Sequence, residues 1–290
     1  MLSDARGPRS GDNGPRHWRN VVVLWTIASL IMVPIVVWVI GPGLPPGNGT
    51  VEASGQVTDN TVLLAIATPV ALAVLVYLAY AVWAFRERTP EVFVDGPAIQ
   101  GNSSVQFWWL VATTVIVLFL AGYGSVRMLA DGAGGGQGPS PIATPAASEG
   151  KPVIVQVIAQ QWQFTYRWPQ YGGVETSAID LPTNSLVKFE VTSLDVIHSF
   201  WAYELGVKAD ANPGIDNIAY VTTKGPLAFH VRCAELCGVW HGYMFNQGRV
   251  VPKAQFTSWI TSQRQADAAT TKVLDPFSKT YYPQPLRRGG

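Results

Sequence analysis

Three apolar stretches, each long enough to cross a bilayer, constrain this chain more than any other feature. A hydrocarbon core about 30 Å thick is spanned by a helix of about 20 mostly apolar residues. Val21–Ile40 (VVVLWTIASLIMVPIVVWVI), roughly Thr61–Phe85 and roughly Val105–Leu129 meet that requirement, with no charge at the centre of any. Arg127 alone lies inside a boundary, where a long cationic stem snorkels to the interface. Trp38, Trp83, Trp108 and Trp109 sit near segment ends, as an aromatic belt requires. Only 13% of residues are charged, against about 25% in soluble domains. A net charge of +1 leaves no domain-sized basic excess to neutralise phosphates, which excludes a nucleic-acid partner. The 11 Trp, 10 Tyr and 11 Phe supply too much apolar surface for a disordered chain.

The loops orient the spans. Arg6, Arg9, Arg16 and Arg19 precede the first against Asp4 and Asp12, while Arg86 and Arg88 follow the second. Between the first two spans stand only Glu52 and Asp59, with no Lys or Arg. Positive-inside logic places the N-terminus and the 86–104 loop in the cytoplasm, and everything after the third span outside. A cleaved signal peptide is the competing reading of the first span. Its apolar run exceeds the usual 7–15 residues and no A-x-A site follows, which favours an uncleaved anchor.

Beyond the third span, DGAGGGQGPSPIATPAASEG has the composition of a flexible linker. VIVQVIAQQWQFTY, SLVKFEVTSL, IAYVTTKGPLAFHVRC and QGRVVP then alternate apolar and polar residues and are rich in β-formers. Turn signals separate them, and a β-sandwich or barrel is expected. The expected organisation is a cytoplasmic segment 1–19, a first transmembrane helix 20–41, a transmembrane helical hairpin 61–129, a linker 130–150, an all-β domain 151–262 and a polar tail 263–290.

Both cysteines fall in Cys233-Ala-Glu-Leu-Cys237-Gly-Val-Trp-His241-Gly-Tyr-Met244. Two thiols, an imidazole and a thioether this close form a soft donor set that suits copper. A single blue-copper site takes one Cys, so this loop has a thiolate to spare. Two thiolates can bridge two metals, each then needing its own terminal ligand. His241 can cap one. His198, in Asp195-Val-Ile-His198-Ser-Phe-Trp201 at the end of a predicted strand, can cap the other. A Cys233–Cys237 disulfide leaves His241 and Met244 unexplained. A tetrahedral zinc site is the stronger alternative, but it has no use for Met244, and Cys-x3-Cys-x3-His is unlike common zinc ribbons.

Cys-x-Glu-x-Cys-x3-His-x2-Met, preceded by Asp-Val-Ile-His-Ser-Phe-Trp, resembles subunit II of cytochrome c oxidase, the CuA-containing member of the heme-copper oxidases. Gly101-Asn102 through Trp109, VKADANPGIDN and Gln161-Trp162 extend the resemblance along most of the chain. It implies a cupredoxin-like sandwich behind the membrane helices and a binuclear copper center. Cys233 and Cys237 would bridge the coppers, with His198 and His241 terminal, Met244 weakly bound and the Glu235 carbonyl completing the set. The Glu235 side chain would reach a magnesium ion at the interface with subunit I. Trp162 matches the family's electron-entry tryptophan, and Asp195 and Asp210 would help dock a basic cytochrome c.

The implied activity is electron transfer from cytochrome c to heme in subunit I, where oxygen is reduced to water. The implied setting is a prokaryotic cell membrane, multi-pass, with the copper domain on the outer side. Other oxidase subunits and membrane lipid are the remaining partners. A CuA subunit of a nitric or nitrous oxide reductase and a membrane-tethered copper carrier are the competing functions. Nitrous oxide reductase brings a large second copper domain that is absent here, and a carrier needs one anchor rather than a hairpin. Two departures stand out: the additional N-terminal span, and Gln106 where many members carry a Glu at a proton entrance.

Overall fold

The apolar stretches fold as helices longer than the hydropathy alone requires. In the computed structural model, which describes residues 14–44, 47–86, 101–131, 135–141, 144 and 150–268, these are α1 (Gly14–Ile35), α2 (Val51–Ala84) and α3 (Ser103–Asp131). All three are long and apolar enough to cross a membrane. Arg6, Arg9 and Arg88 of the orientation argument, and most of the polar tail, lie outside the described residues. The chain divides into two units, Met1–Pro42 with Asn60–Val111 and Gly43–Asp59 with Ala112–Gly290.

In the first unit α1 carries Pro34 and relaxes just after it into a π turn, Val36–Ile40. A proline removes one backbone donor and clashes with the preceding turn, so the ladder widens there. Polar contacts hold α1 beside α2: His17 Nδ1 and Tyr80 Oη lie 2.9 Å apart, and Trp25 Nε1 donates to the Pro69 carbonyl at 2.7 Å. Asn102 caps α3, its Oδ1 accepting from the Ser104 and Val105 amides at 3.1 Å each. Gln106 lies exposed in the first turn behind that cap.

The second unit is a sandwich of ten strands: β1 (Val153–Gln160), β2 (Gln163–Trp168), β3 (Val174–Thr176), β4 (Ile179–Pro182), β5 (Leu186–Ser193), β6 (His198–Ala202), β7 (Val207–Ala211), β8 (Asn217–Thr222), β9 (Leu227–Cys233) and β10 (Phe245–Val251). One sheet has the order β3-β2-β1-β5-β8 and the other β4-β10-β9-β6-β7. The β1–β5 and β4–β10 pairs are parallel and the rest antiparallel. This is a cupredoxin-like sandwich behind a helical N-terminal region. Alternate residues of both sheets meet inside, and Phe200 takes ring contacts from Phe164, Tyr166 and Phe189 at 5.2 to 6.4 Å.

Three features depart from the sequence expectation. VIVQVIAQQWQFTY is not one strand: it folds back at Gln161–Trp162, and Gln160 pairs with Gln163. A last helix, α4 (Lys253–Ala266), runs through the expected boundary at 262 and packs Phe256 and Trp259 against Trp168 at ring distances of 5.8 and 5.4 Å. Within the expected linker, the Gly136 amide donates to Lys208 and the Gln137 amide to Ile218, so this part lies along β7 and β8.

The first turn of α2, missed because VEASGQVTDN is not apolar, is fastened to the sandwich. Thr50 Oγ1 donates to the Leu205 carbonyl at 2.7 Å, and buried Glu52 accepts from the Thr222 amide at 2.7 Å. Gln56 Nε2 reaches the Gly206 carbonyl at 2.7 Å. Gly206 has φ +65°, and a Cβ there would lie 2.7 Å from Ala53 Cα, so only glycine admits this approach. Asp59, further along α2, accepts from Tyr123 Oη at 2.7 Å and Arg127 Nε at 2.9 Å on α3.

Candidate metal centre

Strand pairing brings the sulfur and imidazole groups together. β9 ends at Cys233, and its pairing with β10 returns the chain so that the Cys233 amide donates to the Met244 carbonyl at 3.0 Å. The loop between carries Cys237 and His241, the latter opening a 3-10 turn, His241–Tyr243. β6 lies on the other side of β9, with Phe200 opposite Cys233. His198 therefore arrives at the start of β6, not at the end of the preceding strand as the sequence suggested.

The donors form a row. His198 Nδ1 lies 3.8 Å from Cys233 Sγ, the two sulfurs are 3.7 Å apart, and Cys237 Sγ is 3.6 Å from His241 Nδ1. Met244 Sδ stands 3.9 Å from Cys237 Sγ, and Cys233 Sγ lies 3.2 Å from the Glu235 carbonyl oxygen. Both cysteines are free thiols; a disulfide would bring the sulfurs to about 2.05 Å. His198, Cys233 and Cys237 are buried and offer ligand atoms within 4.8 Å of one another. Met244 is buried as well, His241 is half-buried, and the Glu235 side chain is exposed.

The electrostatics favour one thiolate over two. Burial alone would raise the Cys233 thiol, but hydrogen bonds from His198 and the Ser199 backbone outweigh it and hold it at about 6. Burial and the neighbouring Cys233 sulfur push Cys237 up to about 12. His198 is itself raised despite its burial, because Cys233 and Asp195 both stabilise its cation. A metal ion adjoining both sulfurs supplies the positive charge that the second thiolate needs.

Around this row stands a bonded shell. Asp195 Oδ1 meets His198 Nε2 at 2.9 Å, and Oδ2 accepts from the Gln161 amide at 2.7 Å. Gln161 Nε2 in turn donates to the Cys237 carbonyl at 2.8 Å. Trp162, half-buried, lies against Gly238: a Cβ there would come within 3.3 Å of Trp162 Cζ2 and 3.0 Å of Gln161 Nε2. Asp210 projects from the exposed face of β7. Sequence reading had no role for Gln161 or Gly238; the one available signal was the position of each beside a singled-out residue, Trp162 and Cys237.

The family model "Cytochrome C oxidase subunit II, periplasmic domain" matches residues 175–247, which include both cysteines, His198, His241 and Met244. Cytochrome c oxidase subunit 2 of Thermostichus vulcanus is 26% identical over 296 aligned residues, covering 87% of this chain and 88% of that protein. The chain is similar to cytochrome c oxidase subunit II along most of its length. Subunit 2 of Bacillus sp. (strain PS3) is 29% identical over 203 residues, covering 67% of this chain. The chain spans 54% of the length of that relative. Among solved structures, the periplasmic domain of subunit II (CoxB) of Bradyrhizobium japonicum is 28% identical with a TM-score of 0.39, covering 41% of this chain and 98% of its own. Proteins of this name are subunits of cytochrome c oxidase.

Proposed function

We propose that this chain is the electron-entry subunit of a respiratory terminal oxidase. It takes electrons from cytochrome c at a binuclear copper center and passes them to heme in the catalytic subunit for reduction of oxygen to water. The observation that supports this reading is the row of donors, in which each imidazole adjoins a different sulfur and the sulfurs adjoin each other. Two metals sharing two thiolates fit that row better than one tetrahedral ion, whose four ligands would converge on a single point. Cys233, Cys237, His198 and His241 would hold the copper pair, the two thiolates shared and the two imidazoles terminal. Met244 and the Glu235 carbonyl would be the weak ligands. When bound, the metal pair supplies one-electron chemistry. The chain's residues hold both thiolates apart from water, fix the ring of His198 and place the Trp162 indole at the rim.

The exposed Glu235 side chain is free to reach a magnesium ion at an interface with subunit I. Leu236, Val239 and Tyr243 beside it are 78%, 88% and 71% exposed, an apolar rim suited to a subunit surface. Cytochrome c is the donor, with Asp210 and the exposed part of Asp195 attracting a basic partner. On this reading the chain is a multi-pass protein of a prokaryotic cell membrane with the copper domain outside, and the three apolar helices support it. The fastening of the α2 N-terminus to the sandwich supports this, since it puts Glu52 and the copper domain on one side.

Metal analysis of the purified chain, reconstituted oxidatively, tests the reading. Two coppers, no zinc and a mixed-valence paramagnetic signal spread over both metals are expected. One copper per chain, or a native Cys233–Cys237 disulfide, overturns it. Heme spectra of the copurified complex distinguish an oxidase from a nitric oxide reductase.

A further inference from the structure

The additional N-terminal helix builds a groove that electron transfer does not use. Between α1 and α2 lies an apolar trough of about 570 Å³, walled by Leu24, Ile27 and Ile31 on one side and Val76, Ala79 and Trp83 on the other. One end is closed by polar contacts. Tyr80, which also lines the trough, takes His17 Nδ1 at 2.9 Å and Asn20 Nδ2 at 3.3 Å, and the His17 ring rests 5.0 Å from Phe85. At this same end stand Arg16 and Arg86, both exposed. Arg16 adjoins His17, and Arg86 lies one turn beyond Trp83. Elsewhere along the trough the walls are apolar, so the charge is confined to one mouth.

We propose that this groove binds a phospholipid of the cytoplasmic leaflet with an anionic head group, its acyl chain along the trough and its phosphate between Arg16 and Arg86. A trough this apolar suits a hydrocarbon chain, and arginine is the side chain whose fork matches phosphate. Basic pockets between transmembrane helices on the cytoplasmic side are the general form of such sites. A neutral groove floor with two cations at its mouth selects for the head group and not the chain. The site is independent of the copper reading and rests on the orientation argued above.

The test uses the full chain, alone and in its purified complex, in phosphatidylcholine vesicles carrying trace spin-labelled lipid. The motionally restricted fraction of spin-labelled phosphatidylglycerol should exceed that of spin-labelled phosphatidylcholine. Each arginine near the surface strengthens relative association roughly five-fold, so the paired change Arg16→Gln with Arg86→Gln should bring the two lipids level. Ala79→Phe, which narrows the trough, should lower the restricted fraction of both lipids while the heme and copper spectra stay unchanged. Equal restriction of the two lipids by the unaltered protein overturns the proposal, as does a preference that survives the double change. A preference present in the isolated chain but lost in the complex also overturns it, by showing that a partner's helix fills the groove.

Discussion

Asp195 grips His198 through the ring nitrogen that faces away from the sulfurs, Oδ1 to Nε2 at 2.9 Å, leaving Nδ1 directed at Cys233. Its other oxygen is taken by the Gln161 amide at 2.7 Å. The carboxylate thus fixes the tautomer and angle of the imidazole, in addition to any docking role. Replacing such an outer partner costs about 10–100-fold in metal affinity. Asp195→Asn should therefore weaken copper retention within that range, measured by competition with a chelator. Asp210→Asn removes an exposed charge that touches none of the donors, and should change only the salt dependence of cytochrome c association. Equal copper affinity in both variants would confine Asp195 to docking.

The thiol pair predicts how the metal-free chain responds to pH. Cys233 is held at about 6, below its ordinary value of 9.0, so its stabilising contribution is present above pH 9 and lost as pH falls through 6. Cys237 is raised to about 12, so its contribution is present below 9 and lost as pH climbs toward 12. Under reducing, metal-free conditions, denaturant midpoints should rise from pH 6 toward 9 and fall beyond it. Cys237→Ser should remove the alkaline fall and keep the acid limb. A flat profile would show that the two sulfurs do not share one charge.

Gly238 has φ +122°, and a Cβ there would press on Gln161 Nε2 at 3.0 Å and Trp162 Cζ2 at 3.3 Å. A side chain forced into this region costs about 1–3 kcal/mol. Gly238→Ala should lower the melting temperature correspondingly and displace the indole from the copper loop. Thermal unfolding reports the first effect and Trp162 solvent quenching against a Trp162→Phe background reports the second. An unshifted melting curve would mean the loop relaxes freely.

The spans, the sandwich and the donor set are legible in the sequence because each depends on a local pattern: apolar length, alternation, or ligand spacing. What escapes it is written across distance. The Gln161–Trp162 reversal lies inside an unbroken alternating run with no Gly, Pro, Asn or Asp to mark it. The first turn of α2 is polar and helical because Glu52 and Gln56 have partners in the sandwich 170 and 150 residues away, Thr222 and Gly206. The second role of Asp195 is also hidden, since its Gln161 partner lies 34 positions upstream.

That fastening of α2 makes its own prediction. Glu52 is buried and receives the Thr222 amide at 2.7 Å. Glu52→Ala removes the acceptor of the half-buried Thr222 amide, at about 1–3 kcal/mol. Gly206→Val is harsher, because its Cβ must enter the space of Ala53 at a positive φ. Both should lower the stability of the outer domain, and Gly206→Val should also expose the 47–50 segment to limited proteolysis. Resistance equal to the parent chain in both variants would mean that the helix and the sandwich are not joined through these contacts.

Trp162 is where an electron from outside would meet the copper loop. The sequence left its exposure open, since alternation only sets it opposite Gln161 and Gln163. The hairpin resolves this: Trp162 sits in the turn, half-buried, with its Nε1 making no hydrogen bond among the described residues. Its ring lies over Gly238, one residue from Cys237, and the adjacent Gln161 side chain bonds the Cys237 carbonyl. An indole so placed contributes no donor to the metals, so removing it should leave the copper spectrum intact. The substitution also leaves Asp195 and Asp210, the proposed docking carboxylates, untouched. Trp162→Gln should therefore slow electron entry from reduced cytochrome c, followed by stopped-flow absorbance, while the salt dependence of binding stays the same. Trp162→Phe retains an aromatic ring against Gly238 and should fall between the two. Entry at the parent rate in Trp162→Gln would return this residue to a packing role, whereas a changed copper spectrum would show that the ring supports the loop rather than carrying the electron.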